Sequence, residues 1–203
     1  MDALPDRSLA GLVLAAGGSS RLGQPKQLYE WRGTPLVCRA VEACLEVCGA
    51  GVVVVTGAHA HEVEARLESY PVQIVRNSGW ETGMAGSLQA GIQTLRGSSF
   101  SGVLISLCDQ PRLDAGDLAS LANVWQTSPD LPAAARYKGI IGVPAIFPGD
   151  YLDSLLNLQG DQGARSLLSA CASVSSVEMS AAAFDIDTVA DLARLESARA
   201  NSE

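Results

Sequence analysis

Charged residues are scarce in this chain: Asp, Glu, Lys and Arg make up 18% of 203 residues, against roughly 25% in an average globular protein. Since 47% of residues are hydrophobic, the shortage excludes a disordered chain and favours a well-buried core. Cations are scarcer still. The 14 Lys and Arg against 22 Asp and Glu leave a net charge of −8, which disfavours broad attraction to DNA, RNA or anionic lipid. A site for a phosphorylated small molecule must then gather a few cations, backbone N–H groups or a metal at one spot. No C-x-x-C pair occurs among Cys38, Cys44, Cys48, Cys108 and Cys171, an odd set in apolar or small-residue surroundings that reads as free thiols of a reducing compartment. No stretch is long and apolar enough to cross a bilayer, and Met1 to Arg7 lacks the basic start and apolar run of a signal peptide. The expectation is a cytoplasmic protein with a single domain over 1–203 and loose ends at 1–8 and 200–203. His59, His61 and Glu62 lack a third partner at zinc spacing and read as the start of a helix after Gly57. Covalent acyl transfer finds no support either, since no nucleophile pairs with a histidine.

What the chain has in surplus is glycine: 20 residues, nearly a tenth of the sequence, where about 7% is usual. Gly11 to Ala16 is a short apolar run ending at Gly17-Gly18, and Val52 to Val55 is another ending at Gly57, both patterned as buried parallel strands. Between them Thr34-Pro35 predicts a helix start, with Val37, Val41, Cys44 and Cys48 on one stripe and Arg39, Glu42 and Glu46 opposite. The alternation continues with a helix from about His61 to Ser69, a strand around Val72 to Val75 and a helix from about Ala85 to Leu95. A strand from Val103 to Leu107 and a helix near Asp114 to Gln126 follow. The pattern then loosens into Ala133 to Ala135 and Pro144 to Phe147, among Gly139, Gly142, Pro144 and Pro148, before a last helix from Val189 to about Ala200. This order predicts a three-layer, Rossmann-like α/β fold with a mostly parallel central sheet and a less regular, partly antiparallel second half.

The first strand runs into Leu14-Ala15-Ala16-Gly17-Gly18-Ser19-Ser20-Arg21-Leu22-Gly23-Gln24-Pro25-Lys26. In open α/β sheets ligands sit beyond the carboxyl ends of strands, where loop N–H groups converge on phosphate. Glycine permits close backbone approach, and Arg21 and Lys26 supply charge. A Walker loop needs lysine directly after its second glycine, but Gly18 to Gly23 is followed by Gln24; a dinucleotide fingerprint needs glycine where Ser20 stands. A phosphate loop of another type remains, beside the plainer alternative of a glycine turn with two solvated cations. Asp109 follows the strand ending at Leu107, on the same sheet edge. A hard oxygen ligand there suits magnesium, which binds through one or two carboxylates plus substrate phosphates. Capping the next helix is the competing role, for which Asp114 and Asp117 are better placed. Asp185-Ile186-Asp187-Thr188 sets two carboxylates two residues apart before the last helix, with helix capping by Asp187 or Thr188 as the alternative.

The string Leu-Ala-Ala-Gly-x-Ser-x-Arg-x-Gly-x-x-Lys, from Leu14 to Lys26, resembles the signature of nucleotidyltransferases that activate sugars, polyols and cofactors. With Gln24-Pro25-Lys26 it is closest to the molybdenum cofactor cytidylyltransferases, and the resemblance runs in family order from Leu14 to Leu192. It implies that Leu14, Ala15, Ala16, Gly17, Gly18, Ser19, Ser20, Arg21 and Lys26 wrap the incoming nucleotide triphosphate. Arg21, Lys26 and Asp109 would be catalytic, with magnesium on Asp109 and Asp187. Through Arg76-Asn77-x-x-Trp80-x-x-Gly83-Met84-x-x-Ser87 it implies Asn77, Gly83, Met84 and Ser87 near the nucleotide, while Trp80 reads equally as a core or interface aromatic. Gly142 and Pro144, from a Gly-x-x-Gly-x-Pro strand, and Arg165, from Gly160-Asp161-Gln162-Gly163-Ala164-Arg165, are implied on the acceptor side. Val143 stands where the family pattern commonly has histidine, and an exposed loop arginine is the alternative for Arg165. The implied substrates are CTP, on the Ala15-Ala16-Gly17 form of the loop, and molybdopterin, with a recipient molybdoenzyme as a further partner. GTP, a sugar or polyol phosphate acceptor, and a non-catalytic molybdopterin-binding assembly factor are the alternatives. Gly17, Gly18, Gly23, Gly83, Gly139, Gly142, Gly160 and Gly163 all fall in segments where backbone is expected to approach phosphate, base or pterin.

Overall fold

The structure is a computed structural model that describes residues 8–200. The expected loose ends lie outside these residues except for Ser8 and Ala200, and the Ser8 carbonyl accepts a hydrogen bond from Ser101 N at 2.9 Å. In chain order the elements are β1 (Leu9–Ala15), β2 (Glu30–Trp31), β3 (Thr34–Pro35), α1 (Leu36–Cys48), β4 (Val52–Thr56), α2 (Ala60–Leu67), β5 (Gln73–Arg76) and α3 (Met84–Leu95). They continue with β6 (Gly102–Leu107), α4 (Ala115–Thr127), β7 (Ala133–Tyr137), β8 (Ile140–Pro148), α5 (Leu152–Leu156), α6 (Ala164–Ala170), β9 (Ser175–Glu178) and α7 (Val189–Ala200).

Seven of the strands form one sheet in the order β5-β4-β1-β6-β8-β7-β9. The pairs β5/β4, β4/β1, β1/β6 and β7/β9 are parallel, and β8 alone runs against its neighbours β6 and β7. A strand alternates its side chains between faces, and β1 shows what that does here. Leu9, Val13 and Ala15 join Val37, Val41 and Cys44 of α1, Val63 and Leu67 of α2 and Leu118, Leu121 and Trp125 of α4 on one face. Ala10, Leu12 and Leu14 join Leu88 and Ile92 of α3, Leu155 of α5 and Leu168 of α6 on the other. With a helical layer on each side, β1 is buried along its whole length, which is why it reads as a continuous apolar run. A smaller cluster of Leu22, Trp31, Leu36, Ile186 and Leu195 lies apart from these two layers.

The structure corrects the expected helix start at Thr34-Pro35. Thr34 pairs with Trp31 in the β2–β3 ribbon, and the first helical N–H, from Leu36, is satisfied by Tyr29 O at 3.0 Å instead of by a side-chain cap. The loose second half is a hairpin in which Tyr137 pairs with Ile140 across Lys138 (φ 49°) and Gly139 (φ 74°). Two central residues with positive φ make the primed turn that suits strand twist, so the hairpin accounts for Gly139. Strand β9 and helices α5 and α6 are too short and mixed to be legible in the sequence pattern. Of the five cysteines, Cys38, Cys44 and Cys108 are buried, Cys48 and Cys171 are half-buried, and all are free thiols.

Helix α3 lies close on the sheet because Gly91 has no side chain: a methyl there would meet Leu12 Cδ1 at 2.3 Å. Leu12 is fully buried and has no room to yield. Gly91→Ala is expected to lower the unfolding free energy by about 1–3 kcal/mol, measured by urea denaturation; an unchanged midpoint would contradict the close packing.

Candidate active site

The loop leaving β1 is held open from beneath by one residue. Gln27 is fully buried, and its Nε2 donates to the carbonyls of Ala15 (3.0 Å) and Gly17 (2.7 Å) while its Oε1 accepts from Ser19 Oγ at 3.3 Å. Ser19 Oγ in turn accepts from Lys26 N at 3.1 Å, and Ser19 itself sits at φ 52°, where a residue other than glycine is strained. With these acceptors turned inward, the amides of Gly17, Gly18, Ser19, Ser20 and Arg21 donate to no described residue. Successive unpaired N–H groups at a strand end form an anion-binding concavity.

Three distant segments meet beside this loop. Lys26 Nζ donates to Asp109 Oδ2 at 2.6 Å and to Asp187 Oδ1 at 3.0 Å, and Arg21 reaches Asp187 Oδ2 at 3.2 Å. Side-chain exposures of 14% for Lys26 and 16% for Asp109 make theirs the consequential pair, whereas Arg21 at 72% and Asp187 at 41% form a screened contact. Burial alone would lower the Lys26 pKa, but the charge and hydrogen bond of Asp109, with a further bond from Asp187, hold it well above the usual lysine range. Asp109 Oδ1 is buried without a partner, so this carboxylate keeps an oxygen in reserve. Among the described residues no cluster of three or more His, Cys, Asp or Glu is placed to hold a metal by itself. Magnesium binds through one or two carboxylates plus phosphate oxygens and water, so Asp109, through its unpartnered Oδ1, and Asp187 are the residues that could take part in holding one. Cys108, beside Asp109, is pushed up to about 12 by burial and by the Asp109 charge, and stays a thiol.

Asp187 owes its position to its neighbours. Ile186 N donates to Asp109 O at 2.9 Å, and Ile186 packs in the cluster with Leu22 of the loop. Asp191, not Asp187, organises the helix start: its carboxylate accepts from Thr188 N (2.8 Å) and Thr188 Oγ1 (2.7 Å), and Asp191 N donates to Thr188 Oγ1 at 3.3 Å. This reciprocal capping leaves the Asp187 carboxylate free to face the loop. Asp114 and Asp117 make the capping box of α4, so Asp109 is likewise free.

A cavity of about 380 Å³ runs from this charged end across Leu14 to Gly18 towards Trp80, Gly83, Met84 and Ser87. Trp80 is a wall of it, packed so closely that a methyl on Gly18 would meet its ring at 2.8 Å. Ser87 is buried and accepts from Asn77 Nδ2 at 3.0 Å; Asn77, which also accepts from Gly79 N, lies behind the wall. His59 Nε2 lies 3.4 Å from Gly18 O and so contacts the loop from the side of α2. A second basin of about 450 Å³ adjoins the first through Leu14, Met84, Leu107 and Asp161, with Ile105, Val143 and Arg165 further along. Here the expected acceptor residues divide. Val143 lines the basin, but Gly142 and Pro144 are buried, and Gly142 is covered by the Tyr137 hydroxyl, 2.5 Å from where a methyl would stand. Arg165 is exposed at the rim. The Gly160 carbonyl accepts from Ala85 N at 3.0 Å, and at Gly83 (φ 115°) a methyl would meet that carbonyl at 2.3 Å. The loop before α6 thus closes on the start of α3 and forms the partition between the two cavities.

Residues 11–176 match the family described as the MobA-like NTP transferase domain. The chain belongs to that family. A protein of Paenarthrobacter nicotinovorans named nicotine blue oxidoreductase is 31% identical over 207 residues, covering 92% of this chain and 96% of its own length. A probable molybdenum cofactor guanylyltransferase of Rhodopirellula baltica is 29% identical over 154 residues, covering 72% and 71%. The solved structure of an Rv0371c homologue from Mycobacterium sp. strain JC1 superposes with a TM-score of 0.77 at 29% identity, covering 96% of this chain and 98% of that one. The fold of this MobA-like NTP transferase is thus shared over nearly its full length. No helix among its described residues is long and apolar enough to cross a membrane.

Sequence reasoning missed Gln27 and Asp191, whose types are ordinary at a surface and whose burial alone reveals their work. Gln27→Leu keeps the volume but takes the side-chain donor from the Ala15 and Gly17 carbonyls and the acceptor from the Ser19 hydroxyl. It is expected to cost about 2–4 kcal/mol in chemical denaturation and to weaken nucleotide binding; wild-type stability would refute the role given to Gln27. Asp185 offers a pH test in metal-free protein. Its carboxyl, raised to about 6 mainly by burial and then by the Asp109 charge, keeps its proton in the folded state where the unfolded chain has lost it. The resulting stability is fully present below the ordinary value of 3.8 and lost as pH rises to about 6. Asp185→Asn is therefore expected to be the more stable protein at pH 7, by on the order of 1 kcal/mol after allowing for partial exposure, with the advantage gone near pH 4.

Proposed function

We propose that this chain transfers the cytidylyl group of CTP to the terminal phosphate of molybdenum-bound molybdopterin, with magnesium, giving the dinucleotide cofactor and pyrophosphate. The observation that carries nucleotidyl transfer is the meeting of five unpaired loop amides, Lys26 and two remote carboxylates at one end of a cavity that adjoins a second basin. Molybdopterin as acceptor is supported by the motif resemblance and by the name of the Rhodopirellula relative. CTP rests on the Leu14-Ala15-Ala16-Gly17 form of the loop; GTP, the nucleotide implied by that relative's name, is the competitor.

The loop amides and Arg21 receive the triphosphate oxygens. An acceptor phosphate oxygen attacks the α-phosphorus, the bond to the bridging oxygen breaks, and pyrophosphate leaves with that electron pair. The nucleophile is already an anion, so no general base is needed. Magnesium held by Asp109 and Asp187 would neutralise phosphate charge. Lys26 then exchanges its carboxylates for phosphate oxygens, and positioning with charge neutralisation supplies the catalysis. Hydride transfer, raised by the name of the Paenarthrobacter relative, fits this loop poorly, because Ser20 stands where a dinucleotide fingerprint has glycine.

Pyrophosphate release measured with each nucleotide, with and without molybdopterin, tests the reading. CTP with molybdopterin is expected to turn over fastest. A preference for GTP would replace the base assignment, and a blank panel beside tight molybdopterin binding would favour the assembly factor. Asp109→Ala is expected to stay folded and lose at least about a hundredfold in magnesium-dependent turnover; unchanged turnover would remove Asp109 from the site.

A further inference from the structure

Next to Asp109 stands a side chain that the transfer chemistry does not use and the fold has nearly sealed. Gln110 is 5% exposed. Its Nε2 donates to Val143 O at 3.2 Å and to Ala182 O at 3.0 Å, while its Oε1 is buried without a partner. The two carbonyls belong to different parts of the molecule. Val143 lines the second basin. Ala182 lies in the turn Ser180–Ala183, which leads directly into Asp185 and Asp187. One amide therefore ties three things at fixed spacing: the strand end that carries Asp109, the wall of the acceptor basin, and the segment that delivers Asp187. The carboxamide leaves its own oxygen unpaired while it satisfies two carbonyls from separate segments, which an apolar side chain of the same volume would leave without that donor.

We infer that Gln110 is a positioning residue, which sets the distance between the acceptor basin and the Asp109–Asp187 pair. The inference rests on the nucleotidyl transfer proposed above. A displacement of the basin wall misaligns the attacking oxygen while leaving the loop amides and Trp80 where they were. Misplacement of about 1 Å costs on the order of a hundredfold in rate. The loss should therefore appear in the acceptor's KM and in kcat, and not in nucleotide affinity.

Gln110→Glu is the sharp variant, because it replaces the donor pair with a carboxylate facing two carbonyls. Gln110→Asn keeps the amide but shortens its reach by one methylene, and serves where the glutamate protein does not fold. Nucleotide dissociation constants with magnesium are expected to stay within about twofold of wild type, while kcat/KM for molybdopterin falls on the order of tenfold to a hundredfold. Folded variants with wild-type kcat/KM for the acceptor overturn the inference, as does a loss in nucleotide affinity that matches the loss in turnover. Amide hydrogen exchange separates this failure from that of the function itself. If wild type transfers no nucleotide at all, the proposed function falls. The tie is then judged by whether residues 141–147 and 182–187 lose protection together in the variant while Val52–Thr56 keeps its own; no change in either segment sinks it.

Discussion

Two carboxylates that converge on one point repel each other unless a cation lies between them. In this protein that cation is the Lys26 ammonium, 2.6 Å from Asp109 and 3.0 Å from Asp187. The three residues come from a loop, a strand end and the approach to the last helix, so the bridge closes the molecule across 83 and 161 positions of sequence. Much of the surrounding structure serves to bring them together without consuming their charges. Gln27 shapes the loop, Asp191 takes over the capping that would otherwise have claimed Asp187, and the Leu22–Ile186 cluster presses the C-terminal segment against the loop.

The order of strands on the sheet explains why these pieces can meet at all. β1 and β6 are parallel neighbours near the centre, so the loop after one and Asp109 after the other emerge at the same edge, as ligand sites of open α/β sheets do. Reversal of β8 then brings the strand carrying Val143 alongside β6 with its chain direction inverted. Helix α4 carries the chain across to β7, and the β7–β8 hairpin returns it, so a basin wall is set next to the charged site.

Legibility in the sequence followed the range of the forces involved. Buried strands and amphipathic helices are written locally, and Val52–Thr56, Met84–Leu95 and Val189–Ala200 lie within a residue or so of where periodicity put them. Asp109 stood out as a carboxylate just past a strand end, and Lys26 and Asp187 through the motifs that the family resemblance rests on. The ribbon at Thr34 was misread because a threonine before proline looks like a cap from the sequence, whereas Tyr29, seven residues earlier than Leu36, had already taken the helix's first donor. Gln27 and Gln110 were invisible for a related reason: an amide's meaning lies in which distant carbonyls it reaches. Gly142 and Pro144 were assigned to the acceptor side, yet alternation along β8 buries both and presents Val143.

The partition between the two cavities has a consequence for how such a protein can diverge. Gly83 lies against the Gly160 carbonyl, and Met84 Sδ lies 2.5 Å from where a methyl on Gly163 would stand, so one thin double wall is the boundary of both compartments. Space gained on one side is taken from the other. Under the proposed function, selectivity for the nucleobase and for the acceptor is therefore coupled through the loop before α6 and the start of α3.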